Sequence, residues 1–225
     1  MSILVAENVT FTYENKSQCV KAVNSVSCEF ETGKCYAIVG KSGSGKTTLL
    51  SLLAGLELPS EGRILFEGNA TSDMDRDDYR KDHAAVIYQN YNLFPLLTAE
   101  ENVIYPMKLK GIGKAQAKEL AQKHLTDVGI SRDQFKRFPN QLSGGEQQRV
   151  AIARALAAGN RIILADEPTG NLDISNSEQV VELLLRLAHE ESRCVIIITH
   201  DLDIASLTDE VFTMRDGVMQ IGGDI

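Results

Sequence analysis

Residues 40–47 read Gly40-Lys41-Ser42-Gly43-Ser44-Gly45-Lys46-Thr47, which has the spacing G-x-x-x-x-G-K-[ST]. The chemistry such a segment can do is phosphate binding. Its glycines let the backbone wrap an anion at angles that a Cβ would forbid. The N–H groups of the loop and the positive end of a following helix then face the anion. Lys46 can reach the β- and γ-phosphates of a nucleotide, and the Thr47 hydroxyl can ligate Mg²⁺. All eight residues, with Thr48 beside them, are candidate nucleotide contacts.

Two further segments carry chemistry. Ile162-Ile163-Leu164-Ala165 reads as a buried strand, and Asp166-Glu167 follows it directly. Ligands of open α/β sheets bind at the carboxyl ends of strands. Asp166 is therefore placed to hold Mg²⁺, and Glu167, projecting differently, to polarise a water. Many strands end in acids, so this pair gains its weight from the phosphate loop. The third segment is Leu142-Ser143-Gly144-Gly145-Glu146. One reading is a capping box with Ser143 as N-cap and Glu146 at N3. The other is a second anion cradle, in which Ser143, Gly144 and Gly145 present N–H groups and a hydroxyl. Consecutive glycines weaken a helix start, and that cost favours a functional reason for them.

The elements that must position these segments follow from hydrophobic periodicity. Alternation of Leu4, Ala6, Val9 and Phe11, then of Val26, Cys28 and Phe30, predicts half-buried antiparallel strands. Residues 35–39 form a compact apolar run before the glycine loop, and residues 47–56 read as a helix closing at Gly55. Residues 62–66 predict another strand. From about residue 90 to 158 the pattern becomes helical, with an amphipathic helix at 114–128, an alanine- and arginine-rich helix at 143–158 and no strong strand between them. The strand–helix rhythm then resumes: strand 162–166, helix 175–191, strand 194–199 and two short strands at 211–214 and 218–221. Alternating strands and helices imply a mainly parallel sheet with crossover helices.

The joint occurrence of the phosphate loop, Leu142-Ser143-Gly144-Gly145-Glu146, an aliphatic run ending in Asp166-Glu167 and a downstream His200 resembles the ATP-binding-cassette (ABC) ATPases. The similarity covers essentially the whole chain. It implies an α/β fold over residues 1–225 as a single ABC ATPase domain: a P-loop NTPase core with a mainly parallel sheet, an N-terminal antiparallel β-subdomain and an α-helical subdomain inserted at about 90–158. It implies ATP and Mg²⁺ as ligands. Further positions match the family's pattern. Tyr13 corresponds to an aromatic that stacks on adenine, and Gln89 to a glutamine that touches Mg²⁺ or its water. Asp173, in Gly170-Asn171-Leu172-Asp173, lies in a loop that crosses a dimer interface. His200 corresponds to a histidine at the γ-phosphate. Lys46, Glu167 and His200 are the implied catalytic residues, and Thr47, Gln89 and Asp166 the implied metal ligands. In this family the Ser143–Gly145 segment closes over the ATP held by a second subunit, so an identical partner is expected in a head-to-tail dimer.

Composition bounds the partners. The chain has 225 residues, 43% hydrophobic and 24% charged, and Lys+Arg of 23 against Asp+Glu of 31 gives a net charge of −8. That balance is globular, and acidic enough to argue against a nucleic-acid partner. No apolar run nears the roughly 20 residues that span a bilayer. Cys19, Cys28, Cys35 and Cys194 show no metal spacing and read as reduced packing residues, so no covalent intermediate is expected. The chain also resembles the macrolide-efflux, lipoprotein-release and cell-division subfamily, through residues 55–62, 89–103 and 166–173. That implies an ATPase subunit docked peripherally on the cytoplasmic side of the inner membrane by separate transmembrane permease subunits. Small-solute import is the first alternative, disfavoured by the short stretch after His200. A soluble, non-transport ABC ATPase is the second, disfavoured by the short spacing of Thr47 and Leu142 and by the acidity. The apolar stretch 91–98, with Leu93 and Phe94 foremost, is expected to form a groove for a cytoplasmic helix of the membrane partner.

Overall fold

A computed structural model describes residues 2–15 and 18–221. Two long strands, β1 (Ser2–Asn15) and β2 (Gln18–Glu31), open the chain as an antiparallel pair. Their inward positions are those of the alternating apolar residues: Leu4, Ala6, Val9, Val26, Cys28 and Phe30 are all buried. The alternation skips a beat between Ala6 and Val9 because the register shifts there. The phosphate loop joins β3 (Cys35–Val39) to α1 (Lys46–Leu53). Then β4 (Glu61–Phe66) and the two-residue β5 (Asn69–Ala70) complete a four-stranded sheet in the order β2-β1-β4-β5.

After α2 (Arg76–Asp82) the chain enters β6 (Ala84–Ile87). Three helices, α3 (Ala99–Leu109), α4 (Lys114–Asp127) and α5 (Gly144–Ala157), intervene before β7 (Ile162–Asp166). The chain continues through α6 (Ile174–His189), β8 (Cys194–Thr199), α7 (Leu202–Ser206), β9 (Glu210–Arg215) and β10 (Val218–Ile221). The second sheet has the order β10-β9-β3-β8-β7-β6. Every pair from β9 to β6 is parallel, and only β10 runs antiparallel.

Both faces of this sheet are covered, which is why β3, β7 and β8 are continuous apolar runs. One face carries Ala165, Ile163 and Ile197 against α3–α6, including Val103, Leu125 and Leu184. The other carries Ile38, Leu164 and Ile196 against α1 and the antiparallel sheet, including Leu49, Phe30 and Ile64. Each such fully buried aliphatic side chain contributes about 1.5–3 kcal/mol. The α/β class, the antiparallel N-terminal sheet and the helical insertion expected from the sequence are all present.

Sequence periodicity did not predict α2, α3 or α7. Two of these are short, with seven and five residues. Pro106 lies inside α3 and breaks the pattern a helix interior normally shows. A capping box between Thr98 and Glu101 starts that helix. All four cysteines are free; Cys28, Cys35 and Cys194 are buried, and burial pushes their thiols up to about 12. No helix among the described residues is long and apolar enough to cross a membrane.

Candidate functional site

Four parallel strands deliver side chains to one edge of the sheet, as their shared direction requires. Gly45 caps α1 with φ 102° and no side-chain cap bond, so no side chain competes with an anion for the first-turn N–H groups. The Lys46 ammonium donates to the carbonyls of Gly40 at 2.7 Å and Lys41 at 3.0 Å. Burial pulls its pKa down, while Glu167 and Asp166 oppose that shift. The Ser44 hydroxyl is buried and has no partner.

Across the loop, Thr47 Oγ1 lies 3.4 Å from Asp166 Oδ1. Burial raises the Asp166 pKa, opposed by the Thr47 hydrogen bond; Glu167 adds to the rise and Lys46 opposes it. Glu167 follows with φ 46°, in the left-handed region. That backbone costs on the order of 1–3 kcal/mol and persists where its surroundings hold it. Here the Glu167 N–H donates to the Ile198 carbonyl at 2.9 Å. His200, just past β8, donates Nδ1 to both carboxylate oxygens at 2.9 Å. The Glu167 side chain is only 18% exposed, whereas the His200 side chain is 72% exposed. The carboxylate is thus half-sheltered behind an imidazole that faces solvent.

These groups border a cavity of about 780 Å³. It brings together Tyr13, Lys41, Ser42, Gly43, Gly45, Lys46, Thr47, Thr48, Gln89, Asp166, Glu167 and His200. Tyr13 is 48% exposed at one end, packed edge-on against Phe11 at 4.9 Å, with its hydroxyl 3.3 Å from Thr48 Oγ1. Gln89 enters from the segment after β6, and its carbonyl accepts from Asn171 Nδ2 at 3.1 Å.

Gly40 and Ser44 belong to the same loop but do not line this cavity, and neither do the remaining candidates, Ser143, Gly144, Gly145 and Asp173. Ser143 Oγ caps α5 by accepting from the Glu146 N–H, and the Glu146 carboxylate accepts from the Ser143 N–H at 2.7 Å. The paired glycines, read from the sequence as favouring a functional reason, also have a packing reason. A Cβ on Gly144 would sit 2.8 Å from the Tyr91 hydroxyl, and one on Gly145 would sit 2.6 Å from Asn176 Oδ1. Asn176 also receives Arg149 at 2.8 Å and donates Nδ2 to Asp173 at 2.8 Å, and the Asp173 carboxylate caps α6. Gly145 thus lets the start of α5 approach the start of α6, and Gly144 makes room for the Tyr91 side chain.

One feature escaped sequence reasoning. Arg154 donates to the carbonyls of Asn92 at 2.7 Å and Tyr91 at 3.0 Å; one of two arginines in an alanine-rich helix carries no signal of this. Beside it lies a groove of about 560 Å³ that includes Phe94, Tyr105, Pro106 and Leu109. Of the two apolar residues expected to lead there, only Phe94 does, its ring tilted against Tyr105 with centroids 4.7 Å apart. Leu93 packs instead against the helical core.

Residues 23–170 match the family described as ABC transporter. The ABC transporter ATP-binding protein YclH of Bacillus subtilis is 43% identical over 93% of this chain and 92% of its own length. The macrolide export ATP-binding/permease protein MacB 2 of Aeromonas hydrophila is 42% identical over 92% of this chain and 32% of its own length. Among solved structures, the ATP-binding cassette MJ0796, from Methanocaldococcus jannaschii, superposes with a TM-score of 0.90. It is 35% identical, covers 99% of this chain and 100% of its own, and was solved as a dimer in a post-hydrolysis state with ADP and Pi. By the extent of these matches, the chain belongs to the ABC transporter family as one of its ATP-binding proteins.

Proposed function

We propose that the chain hydrolyses ATP in the 780 Å³ cavity, sandwiched against a second, identical copy, and thereby drives a separate membrane subunit. The observation that carries this reading is the convergence of Lys46, Thr47, Asp166, Glu167 and His200 on one cavity that Ser143, Gly144 and Gly145 do not share. Those last residues serve the partner's nucleotide, with Asp173 crossing beside them. The MJ0796 dimer supports the assembly. Tyr13 stacks on the adenine, and the residues 40–48 cradle the phosphates, with Lys46 leaving its two carbonyl partners for the β- and γ-oxygens. The orphan Ser44 hydroxyl and the adjoining Thr47 and Asp166 oxygens fit a phosphate and a hard cation. Thr47, Asp166 and Gln89 would hold Mg²⁺, which supplies charge neutralisation at the phosphates.

Glu167 orients a water for in-line attack and takes its proton. The new bond forms from the water oxygen to the γ-phosphorus, the bond to the bridging oxygen breaks, and ADP leaves with phosphate. His200 fixes the Glu167 carboxylate and reaches the γ-phosphate. Residues 1–225 act as one ABC ATPase domain with its helical part at about 90–158. It sits peripherally on the cytoplasmic side of the cell membrane, held by the membrane subunit through the Phe94 groove. Likeness to MacB 2, an ATP-binding/permease protein, supports export or mechanical work on extracytoplasmic domains. Light scattering with and without ATP, run beside phosphate-release kinetics on the purified chain and its membrane complex, tests the reading. A chain that stays monomeric with ATP and releases no phosphate in either form would overturn it.

A further inference from the structure

The groove beside α3 and α5 holds a guanidinium whose charge no carboxylate balances. Arg154 contacts the Asn92 carbonyl, the Tyr91 carbonyl and, at 5.9 Å, the Phe94 ring. Among the described residues no Asp or Glu reaches it. The other cations of the groove are matched: Arg80 pairs with Asp77, and Lys81 with Asp78 and Asp82. Of the three cations lining the groove, Arg154 is therefore the one without a carboxylate. It is flanked by apolar surface, since Phe94 and Tyr105 are each 40% exposed and Leu109 is 58% exposed. A planar guanidinium in such surroundings binds a carboxylate with charge-assisted, bidentate geometry, and weak solvent screening strengthens the pair.

The two carbonyls that Arg154 now holds belong to a strained turn. Tyr91 has φ 62° and Asn92 has φ 45°, two consecutive non-glycine residues in the left-handed region. Asn enters that region readily, whereas a bulky Tyr occupies it only where contacts impose it. Arg154 supplies two of those contacts, and Gln89 lies two residues upstream of the turn, on the nucleotide cavity.

We propose that the membrane-subunit segment seated in this groove carries an Asp or Glu between apolar side chains, and that its carboxylate draws Arg154 off the Tyr91 and Asn92 carbonyls, loosening the turn that leads to Gln89. This rests on the reading that the groove receives the membrane subunit, and deepens it by assigning the charge of the partner and the contact through which occupancy reaches the ATP site. An acidic side chain is favoured over a neutral or basic one because it completes the only groove-lining cation without a carboxylate, and a basic one would be repelled by it.

The test uses the full chain expressed with its membrane subunit. Leu109, on the groove rim, is replaced by a photo-crosslinking benzoylphenylalanine, and the crosslinked segment is sequenced by mass spectrometry. The expected result is a cytoplasmic segment of the membrane subunit containing Asp or Glu. Neutralising that acid to Asn or Gln should lower recovery of the complex tenfold or more. Combining Arg154→Glu with a Lys at the partner position should restore it. Hydrogen exchange of amides 89–94 in the complex should be faster with the acid present than with it neutralised. A crosslinked segment without a carboxylate, or one whose neutralisation leaves the complex intact, overturns the acidic anchor while leaving the docking reading standing. Unchanged exchange overturns the loosening of the turn. A crosslink only to something other than the membrane subunit overturns the docking reading itself. Should Arg154→Glu fail to fold, the partner-side neutralisation still decides.

Discussion

The phosphate-loop end of the molecule and the start of α5 are both helix N-termini beside glycines, yet they are built oppositely. At the phosphate loop, no side chain caps α1, the Ser44 hydroxyl has no partner, and Lys46 is held only by two loop carbonyls. Donors there are left for a ligand. At α5, Ser143 and Glu146 satisfy each other, and Asn176 fills the space over Gly145. The first end is an open anion site fixed by a buried sheet. The second is a self-contained surface that keeps its shape without a ligand. The contrast teaches that glycines at a helix start have two distinct physical uses, anion approach and helix–helix approach, which residue type alone does not separate. It also fits a division of labour in which one copy's open end meets the other's preformed surface.

The largest effect should come from the open end. Glu167→Gln keeps the side chain's shape but loses its basicity, and general-base loss costs about 10²–10⁴-fold in rate. Phosphate release should fall by that order while ATP binding persists, and an ATP-held dimer should accumulate in size-exclusion chromatography. Normal turnover in a monomeric variant would break the proposed role. Lys46→Ala should come next. Hydrogen bonds to charged groups are each worth about 1.5–3 kcal/mol, so calorimetric ATP affinity should drop by about ten- to a hundredfold. Unchanged affinity would mean that the ammonium stays on the Gly40 and Lys41 carbonyls when nucleotide binds.

The preformed end responds to packing. Gly145→Ala puts a methyl 2.6 Å from Asn176 Oδ1, and overpacking of this kind costs about 1–3 kcal/mol. Thermal unfolding should shift down accordingly, while the ATP affinity of the monomer stays within twofold. Partial rescue by Asn176→Ala, which clears the space, would sharpen the packing account; an equal loss of monomer ATP affinity would contradict the separation of the two ends.

That asymmetry also explains what the sequence made legible. The phosphate loop, Asp166-Glu167 and the runs of β3, β7 and β8 are contiguous, so local pattern reports them. Tyr13, Gln89 and His200 carry no local signal, and came only through family likeness. The parallel sheet then brings Gln89 and His200, and the antiparallel sheet Tyr13, to one cavity with Lys46 and Glu167. Arg154 and Asn176 act through tertiary contacts alone: no periodicity marks an arginine that holds two carbonyls in another segment. Helix α3 was hidden because its interior proline contradicts the local rule that its packing overrides.

The smallest effect is the most discriminating, because it separates the two uses of one side chain. Ser143 Oγ caps α5, and replacing a cap by Ala costs about 1 kcal/mol. Ser143→Ala should therefore lower stability slightly and weaken ATP-dependent dimerisation. Ser143→Asp keeps a good cap, since Asp ranks with Ser at this position, and a carboxylate at a helix N-terminus is itself favourable. Its melting temperature should match the parent's. Facing a γ-phosphate of the partner, however, the same carboxylate meets like charge and offers no donor. Ser143→Asp should consequently abolish the ATP dimer, measured by light scattering, while monomer affinity for ATP is kept. If Ser143→Asp dimerises with ATP as the parent does, Ser143 is a cap alone, and the start of α5 faces no phosphate.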